Sequence, residues 1–188
     1  MKINFSKIFI KTTILVVVVL VLFLAFGRNY IWQQSQLTPM PDCLISKTYK
    51  ENNIVNGDSM QPLLQDQQDI VLVKHYYDCF DPQVGDIVAY NYAGNDNPII
   101  KMIKASNQDF LEIKNNKLLI NNKILKNSAN QEYIFDNQEI EVLNLYIENN
   151  KLPVDSYLIF GDNIGSSNDS RVFGAVSMVD ILGKFLVE

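Results

Sequence analysis

Metal ligands are scarce in this sequence. It holds one histidine, His75, and two cysteines, Cys43 and Cys79, among 188 residues. No C-x-x-C pair occurs. A zinc site takes about four nitrogen or sulfur ligands, which this chain can hardly supply, so no metal or cofactor is expected. Positive charge is also short. Sixteen Lys and Arg stand against 21 Asp and Glu, a net charge of −5. The basic residues form no stripe, so nucleic acid is not an expected partner. There is no internal repeat and no low-complexity tract. Cys43 and Cys79 would pair in an oxidising compartment or remain two thiols, and spacing does not choose between these.

What is present begins with a long apolar run. Ile8 to Phe26 is apolar except for Lys11, Thr12 and Thr13. Nineteen residues at helical rise span about 28 Å, close to one hydrocarbon thickness. Lys2, Lys7 and Lys11 lie in or before the start of the run, and only Arg28 follows closely. The positive-inside rule then leaves the N-terminus in the cytoplasm and the rest of the chain outside. Tyr30 and Trp32 fall where interfacial aromatics sit. A cleaved secretory signal is the competing reading, but Ala25-Phe26-Gly27 makes a poor cleavage site. The expected organisation is a cytoplasmic tip and transmembrane anchor over 1–28, a linker over 29–45, and one extracytoplasmic domain over 46–188.

That domain reads as β. Strands are expected at Asp69–Lys74, Gly85–Tyr92, Pro98–Ile103, Phe110–Ile113, Lys117–Leu125, Ser156–Phe160 and Asp180–Val187. Asn115-Asn116 and Asn121-Asn122 suit tight turns, because Asn tolerates positive φ. Many short strands with little helical periodicity predict a mainly β fold, a small barrel or sandwich.

Three segments carry chemistry. In Gly57-Asp58-Ser59-Met60-Gln61-Pro62, Pro62 biases Gln61 toward extended backbone, so Ser59 sits on a non-helical turn. A serine on a turn is usually structural. In Ile99-Ile100-Lys101-Met102-Ile103, Lys101 faces away from Ile100 and Met102 on a strand. A lysine there is usually solvated, but burial would lower its pKa and let it accept a proton. Lys104 would face the opposite way. The third segment, Gly161 to Gly174, is a polar loop flanked by Phe160 and Phe173, in which Asp169 and Arg171 can pair.

Together these segments resemble, in order and spacing, the sequence boxes of the type I signal peptidases, or leader peptidases. Those enzymes have a Ser-Met-x-Pro box, a strand lysine, and a late Gly-Asp-Asn…Ser-x-Asp-Ser-Arg…Gly box. The resemblance runs from about Ile54 to the C-terminus. It implies a β-barrel or sandwich catalytic domain behind one transmembrane helix. It also implies a membrane-bound serine endopeptidase that removes signal peptides from secreted preproteins after Ala-x-Ala-type ends. Ser59 would be the nucleophile, Lys101 the general base and Ser167 the residue that orients the lysine. Asp162, Asn163, Asp169 and Arg171 would support the site. Val55, Gly57, Met60, Leu64, Ile99 and Ile100 would shape the substrate cleft. The Ser59 N–H would donate to the oxyanion, and Gly57 leaves no side-chain donor two residues earlier. Partners would be preproteins and the lipid bilayer of the cell membrane.

The family's usual Arg after the lysine is Met102 here, the Gly-x-Pro-Gly-Asp turn beyond it is absent, and Asn56 replaces a common proline. These departures keep open a processing peptidase dedicated to one secretion or conjugation system. A non-catalytic, membrane-tethered peptide-binding relative is opposed by the retained Ser59, Lys101, Ser167, Asp169 and Arg171. His75 lies before the lysine box and is expected at the surface.

If residues 8–26 form an uncleaved anchor, intact-mass spectrometry of the membrane-extracted protein will give a mass that includes them. A mature species starting near Arg28 would show a cleaved signal instead.

Overall fold

The computed structural model describes residues 49–92 and 98–187. The expected anchor, the linker up to residue 45 and Cys43 lie outside the described residues. Among the described residues, no helix is long and apolar enough to cross a membrane.

Alternating β-branched residues build a large antiparallel sheet. Its strands are β1 (Tyr49–Ile54), β2 (Asp69–Lys74), β3 (Ile87–Tyr90), β4 (Ile99–Ser106), β8 (Ser156–Phe160), β9 (Val176–Ser177) and β10 (Ile181–Leu186). The spatial order is β1-β2-β10-β3-β4-β8-β9. A smaller sheet joins β5 (Leu111–Lys114), β6 (Lys117–Ile120) and β7 (Lys123–Ile124) in sequence. Its two turns are the asparagine pairs. Asn115, Asn116, Asn121 and Asn122 have φ of 51°, 61°, 51° and 65°, the backbone that primed hairpin turns require.

Pairing divides side chains between faces. Met102 opposes Phe160 and Ala105 opposes Leu158, while Ile103 opposes Ile159. Ala105, Leu158 and Phe160 join a cluster with Leu111, Leu118, Tyr133, Phe135 and Leu143. That cluster holds the small sheet against the large one. Ile103 and Ile159 pack elsewhere, with Tyr77, Val88 and Ile181. A third cluster joins Ile70, Leu72, Ile87, Ala89 and Phe185 to Val55, Met60 and Leu64. The segment bearing Ser59 is therefore anchored in the core on both sides of the serine.

The β expectation holds, but the sheet does not close into a barrel. Its ladder runs from β1 to β9, and these ends do not pair. β9 has two residues and pairs only Ser156 and Tyr157, too little edge to meet another strand. β1 was not expected. Its sequence, Tyr-Lys-Glu-Asn-Asn-Ile, lacks apolar alternation because the strand is a mostly exposed edge. A Lys74–Glu51 ion pair of 2.8 Å decorates it, the usual charged treatment of an edge.

Two helices also escaped the sequence reading: α1 (Asn137–Asn144) and the one-turn α2 (Ser170–Phe173). α1 carries a reciprocal capping box, in which Asp136 accepts from the Glu139 N–H and Glu139 accepts from the Asp136 N–H. The spacing Asp136-x-x-Glu139 was the available signal.

Asp136→Ala removes that cap. It is expected to lower unfolding stability by about 1 kcal/mol, read as a lower urea midpoint at unchanged m-value.

Candidate active site

The loop from Val55 to Gln68 is closed at its base. Val55 donates its N–H to the Gln68 carbonyl at 2.9 Å and Gln67 donates to the Val55 carbonyl at 2.8 Å. One residue inside, the Gly57 N–H donates to Asp66 Oδ1 at 2.8 Å. Gly57 has φ of 90°, a backbone other residues rarely adopt. The Gly57 N–H is thus already engaged. The hydrogen bond it donates draws the exposed Asp66 carboxyl below the usual carboxylate range, helped by the Gln67 amide. Within the closed loop, Met60 and Leu64 are buried and Ser59 is partly exposed.

Lys101 stands on β4 opposite Val88. Only 2% of it is exposed. Its Nζ donates to Ser59 Oγ at 3.0 Å and to the Ile100 carbonyl at 2.8 Å. Burial lowers its pKa from 10.5 to about 8. The Asp169 carboxylate opposes that shift, and the Arg171 charge adds to it. The rival Lys104 does not approach Ser59. The β4–β8 register shifts between Ile103 and Ala105, leaving Lys104 unpaired as an extra residue. Its half-buried Nζ donates to the Lys126 carbonyl at 3.3 Å. Burial lowers its pKa too, and the Asp162 charge opposes this.

The Gly161–Gly174 loop is held by one buried ion pair. Arg171 Nε lies 2.9 Å from Asp169 Oδ1, and Nη2 lies 2.9 Å from Asp169 Oδ2. The two planar groups meet in a fork that fixes both. Asp169 also accepts the Gly161 N–H at 3.0 Å, while Arg171 donates to the carbonyls of Ile164 and Ser167 at 2.6 and 3.3 Å. Glu139 at the start of α1 lies 3.8 Å from Arg171, and the guanidinium stacks over the Tyr133 ring. Asp162 is wholly buried. Its carboxylate accepts the backbone N–H of Ser128 at 2.8 Å and the Ser128 hydroxyl.

This loop meets the serine loop at Gly161. A Cβ there would lie 2.0 Å from Ser167 Oγ and 2.5 Å from the Ser59 carbonyl. The glycine is what allows the late loop to approach the Ser59 turn this closely. Asn163 donates its N–H to the Ser59 carbonyl at 3.0 Å and its side-chain amide to the Asp58 carbonyl at 3.2 Å. Ser166 Oγ donates to Asp58 Oδ1 at 3.1 Å. Ser167 is close, but its Oγ is buried without a hydrogen-bond partner, and the bond to Lys101 expected from the resemblance is not formed.

A cleft of about 410 Å³ opens at Ser59 and Lys101, lined also by Ile54, Val55, Asn56, Met60, Pro98, Ile99 and Ile100. Four of the expected substrate residues, Val55, Met60, Ile99 and Ile100, thus line it. Gly57 and Leu64 do not. Leu64 has no exposed surface and packs in the core, because the turn following Ser59 points it inward. Below Met102, β8 extends no pairing to Ile99–Lys101, so among the described residues one edge of that stretch carries no strand. His75 lies in a separate cavity of about 460 Å³ with Tyr49 and Leu182. It is exposed, 3.6 Å from Asp78. Among the described residues, no cluster suits a metal ion. Asp66, Ser166 and Tyr133, whose hydroxyl donates to the Gly161 carbonyl at 2.7 Å, were missed, since nothing local in their sequence marks them.

Comparison with known proteins adds to this geometry. The family described as signal peptidase, peptidase S26, matches residues 8–187. Signal peptidase I P of Bacillus subtilis subsp. natto is 32% identical over 139 residues, covering 71% of this chain and 73% of that one. Signal peptidase IB of Staphylococcus aureus (strain Mu50 / ATCC 700699) is 29% identical over 140 residues, covering 69% and 72%. A crystal structure of a signal peptidase I from Enterococcus faecalis V583 shares 27% identity at a TM-score of 0.42, covering 56% of this chain and 97% of that one.

Removing Arg171 would strand the buried Asp169 carboxylate. Arg171→Met is expected to cost about 3–5 kcal/mol of unfolding free energy, measured by urea denaturation.

Proposed function

This chain belongs to the signal peptidase family, peptidase S26, and on that basis we propose that it is a membrane-bound serine endopeptidase that removes signal peptides from secreted preproteins. The observation that carries the proposal is the 3.0 Å contact between Ser59 Oγ and the buried Lys101 Nζ.

The reaction follows from that pair. Neutral Lys101 accepts the Ser59 proton as Oγ attacks the scissile carbonyl. The backbone N–H of Ser59 donates to the oxyanion. When the tetrahedral intermediate collapses, Lys101 returns the proton to the departing amine. Water deprotonated by Lys101 then releases the acyl group from Ser59. Ser167 Oγ, buried and without a partner beside the site, can turn to accept a hydrogen bond from Lys101 and orient it. Lys101 is the stronger base candidate because Lys104 and His75 do not contact Ser59.

The substrate binds extended along the edge of Ile99–Lys101 that faces away from β3, adding a strand beside it. Val55, Met60, Ile99 and Ile100 give the cleft its apolar part, against which small side chains of the Ala-x-Ala kind would pack. Residues 8–26 anchor the enzyme in the cell membrane, with the N-terminus in the cytoplasm and the domain on the outer face. Preproteins and the bilayer are its partners, and no cofactor is required.

In detergent, with a preprotein ending its signal in Ala-x-Ala, Ser59→Ala and Lys101→Ala are each expected to lose cleavage by at least about a thousandfold. Unchanged cleavage in either variant would sink the pair. Protonated Lys101 cannot accept the serine proton, so activity is lost below its pKa and gained above it. The rate should climb about tenfold per pH unit below pH 8 and level off above it, where the lowered pKa of about 8 places the midpoint. A profile flat from pH 6 to 9 would exclude a lysine base.

A further inference from the structure

Asn163 touches Ser59 through both peptide units that flank the serine. Its backbone N–H binds the Ser59 carbonyl at 3.0 Å, and its side-chain amide binds the Asp58 carbonyl at 3.2 Å. The second contact has a consequence for the neighbouring N–H. The Asp58 carbonyl and the Ser59 N–H belong to one planar peptide unit. Among the described residues, the single cis peptide is Gln61–Pro62, so the Asp58–Ser59 unit is trans. Its carbonyl and N–H therefore point in opposite directions. Fixing the carbonyl fixes the N–H.

Two donors hold that carbonyl. The Gln61 N–H lies 2.9 Å away within the turn, and the Asn163 amide arrives from a different part of the chain. Asp58 is exposed and follows Gly57, whose φ is 90°, so apart from the Ser166 contact to its side chain the turn bond is the only local restraint on this plane. The cross-loop amide adds a restraint from outside the turn. Asn163 is in turn held by its own side chain, whose Oδ1 accepts the Gly165 N–H at 3.3 Å.

We infer that Asn163 is a positioning residue for catalysis: its side-chain amide, by fixing the Asp58–Ser59 peptide plane, aims the Ser59 N–H at the developing oxyanion. This rests on the proposed role of Ser59 and its N–H. It also accounts for how a site with glycine at residue 57, whose own N–H is engaged by Asp66, stabilises an oxyanion through the serine N–H. A donor that is already aimed requires no reorganisation as charge develops.

The test compares wild type, Asn163→Asp, Asn163→Ala and Ser59→Ala on one Ala-x-Ala preprotein. Asn163→Asp keeps the acceptor for the Gly165 N–H and the backbone bond to Ser59, loses the donor to Asp58 and adds a negative charge beside that carbonyl, whereas Asn163→Ala loses the donor without adding charge. Both Asn163 variants are expected to lower kcat roughly ten- to a hundredfold, below the cost of deleting an oxyanion donor outright, with KM within about twofold. Affinity for a peptide aldehyde, which forms a tetrahedral adduct with Ser59, should fall by a similar factor. Affinity for an uncleavable ground-state peptide should hold. Wild-type kcat in both variants overturns the inference, as does an equal loss of ground-state affinity. If one variant melts below the assay temperature, the other decides, and melting of both assigns Asn163 a structural role and overturns the inference. Normal cleavage by Ser59→Ala would instead fail the underlying reading, whatever the Asn163 variants do.

Discussion

Burying an ammonium without an ionised partner is unfavourable, and the site is organised around that cost. Lys101 is almost fully enclosed, and its nearest partners are a hydroxyl and a carbonyl, neither of them charged. The Asp169 carboxylate favours the charged lysine, but it is already committed to Arg171 in a two-point fork. What remains is net desolvation, which shifts Lys101 toward the neutral form that a base needs.

That balance depends on the late loop being rigid. The Asp169–Arg171 pair draws in Gly161, Ile164 and Ser167, and Asp162 is fastened separately to Ser128. The loop is thereby fixed to the Ser128 segment and to the start of α1. From this support Asn163 and Ser166 reach the Ser59 turn. The Ser59 turn is held by the Val55–Gln68 closure and by the late loop, so neither element alone defines it.

The strands at Asp69–Lys74 and Ser156–Phe160 were legible to the residue, because their apolar pattern matches the burial they receive. The asparagine turns were legible because few other residues adopt that backbone. β1 was not, since an edge strand needs no apolar face, and α1 was announced only by its capping box. Of the barrel and sandwich alternatives, a closed barrel is not formed: periodicity says that strands exist, not whether the last one meets the first. Among the site residues, Leu64 was misplaced because motif position does not reveal which side of a turn faces the core.

By itself the sequence determined the family and the order of the candidate groups along the chain, since these are properties of residue type and spacing. Ser59 and Lys101 each have an ordinary explanation when taken alone, and the late box makes them a pair. Tertiary structure alone decided that Lys101 is buried, that Asp66 holds Gly57, and that Asn163 holds the carbonyls of Asp58 and Ser59. Those facts depend on contacts between segments up to 105 residues apart. Desolvation and hydrogen-bond direction are properties of such contacts, and no local pattern encodes them.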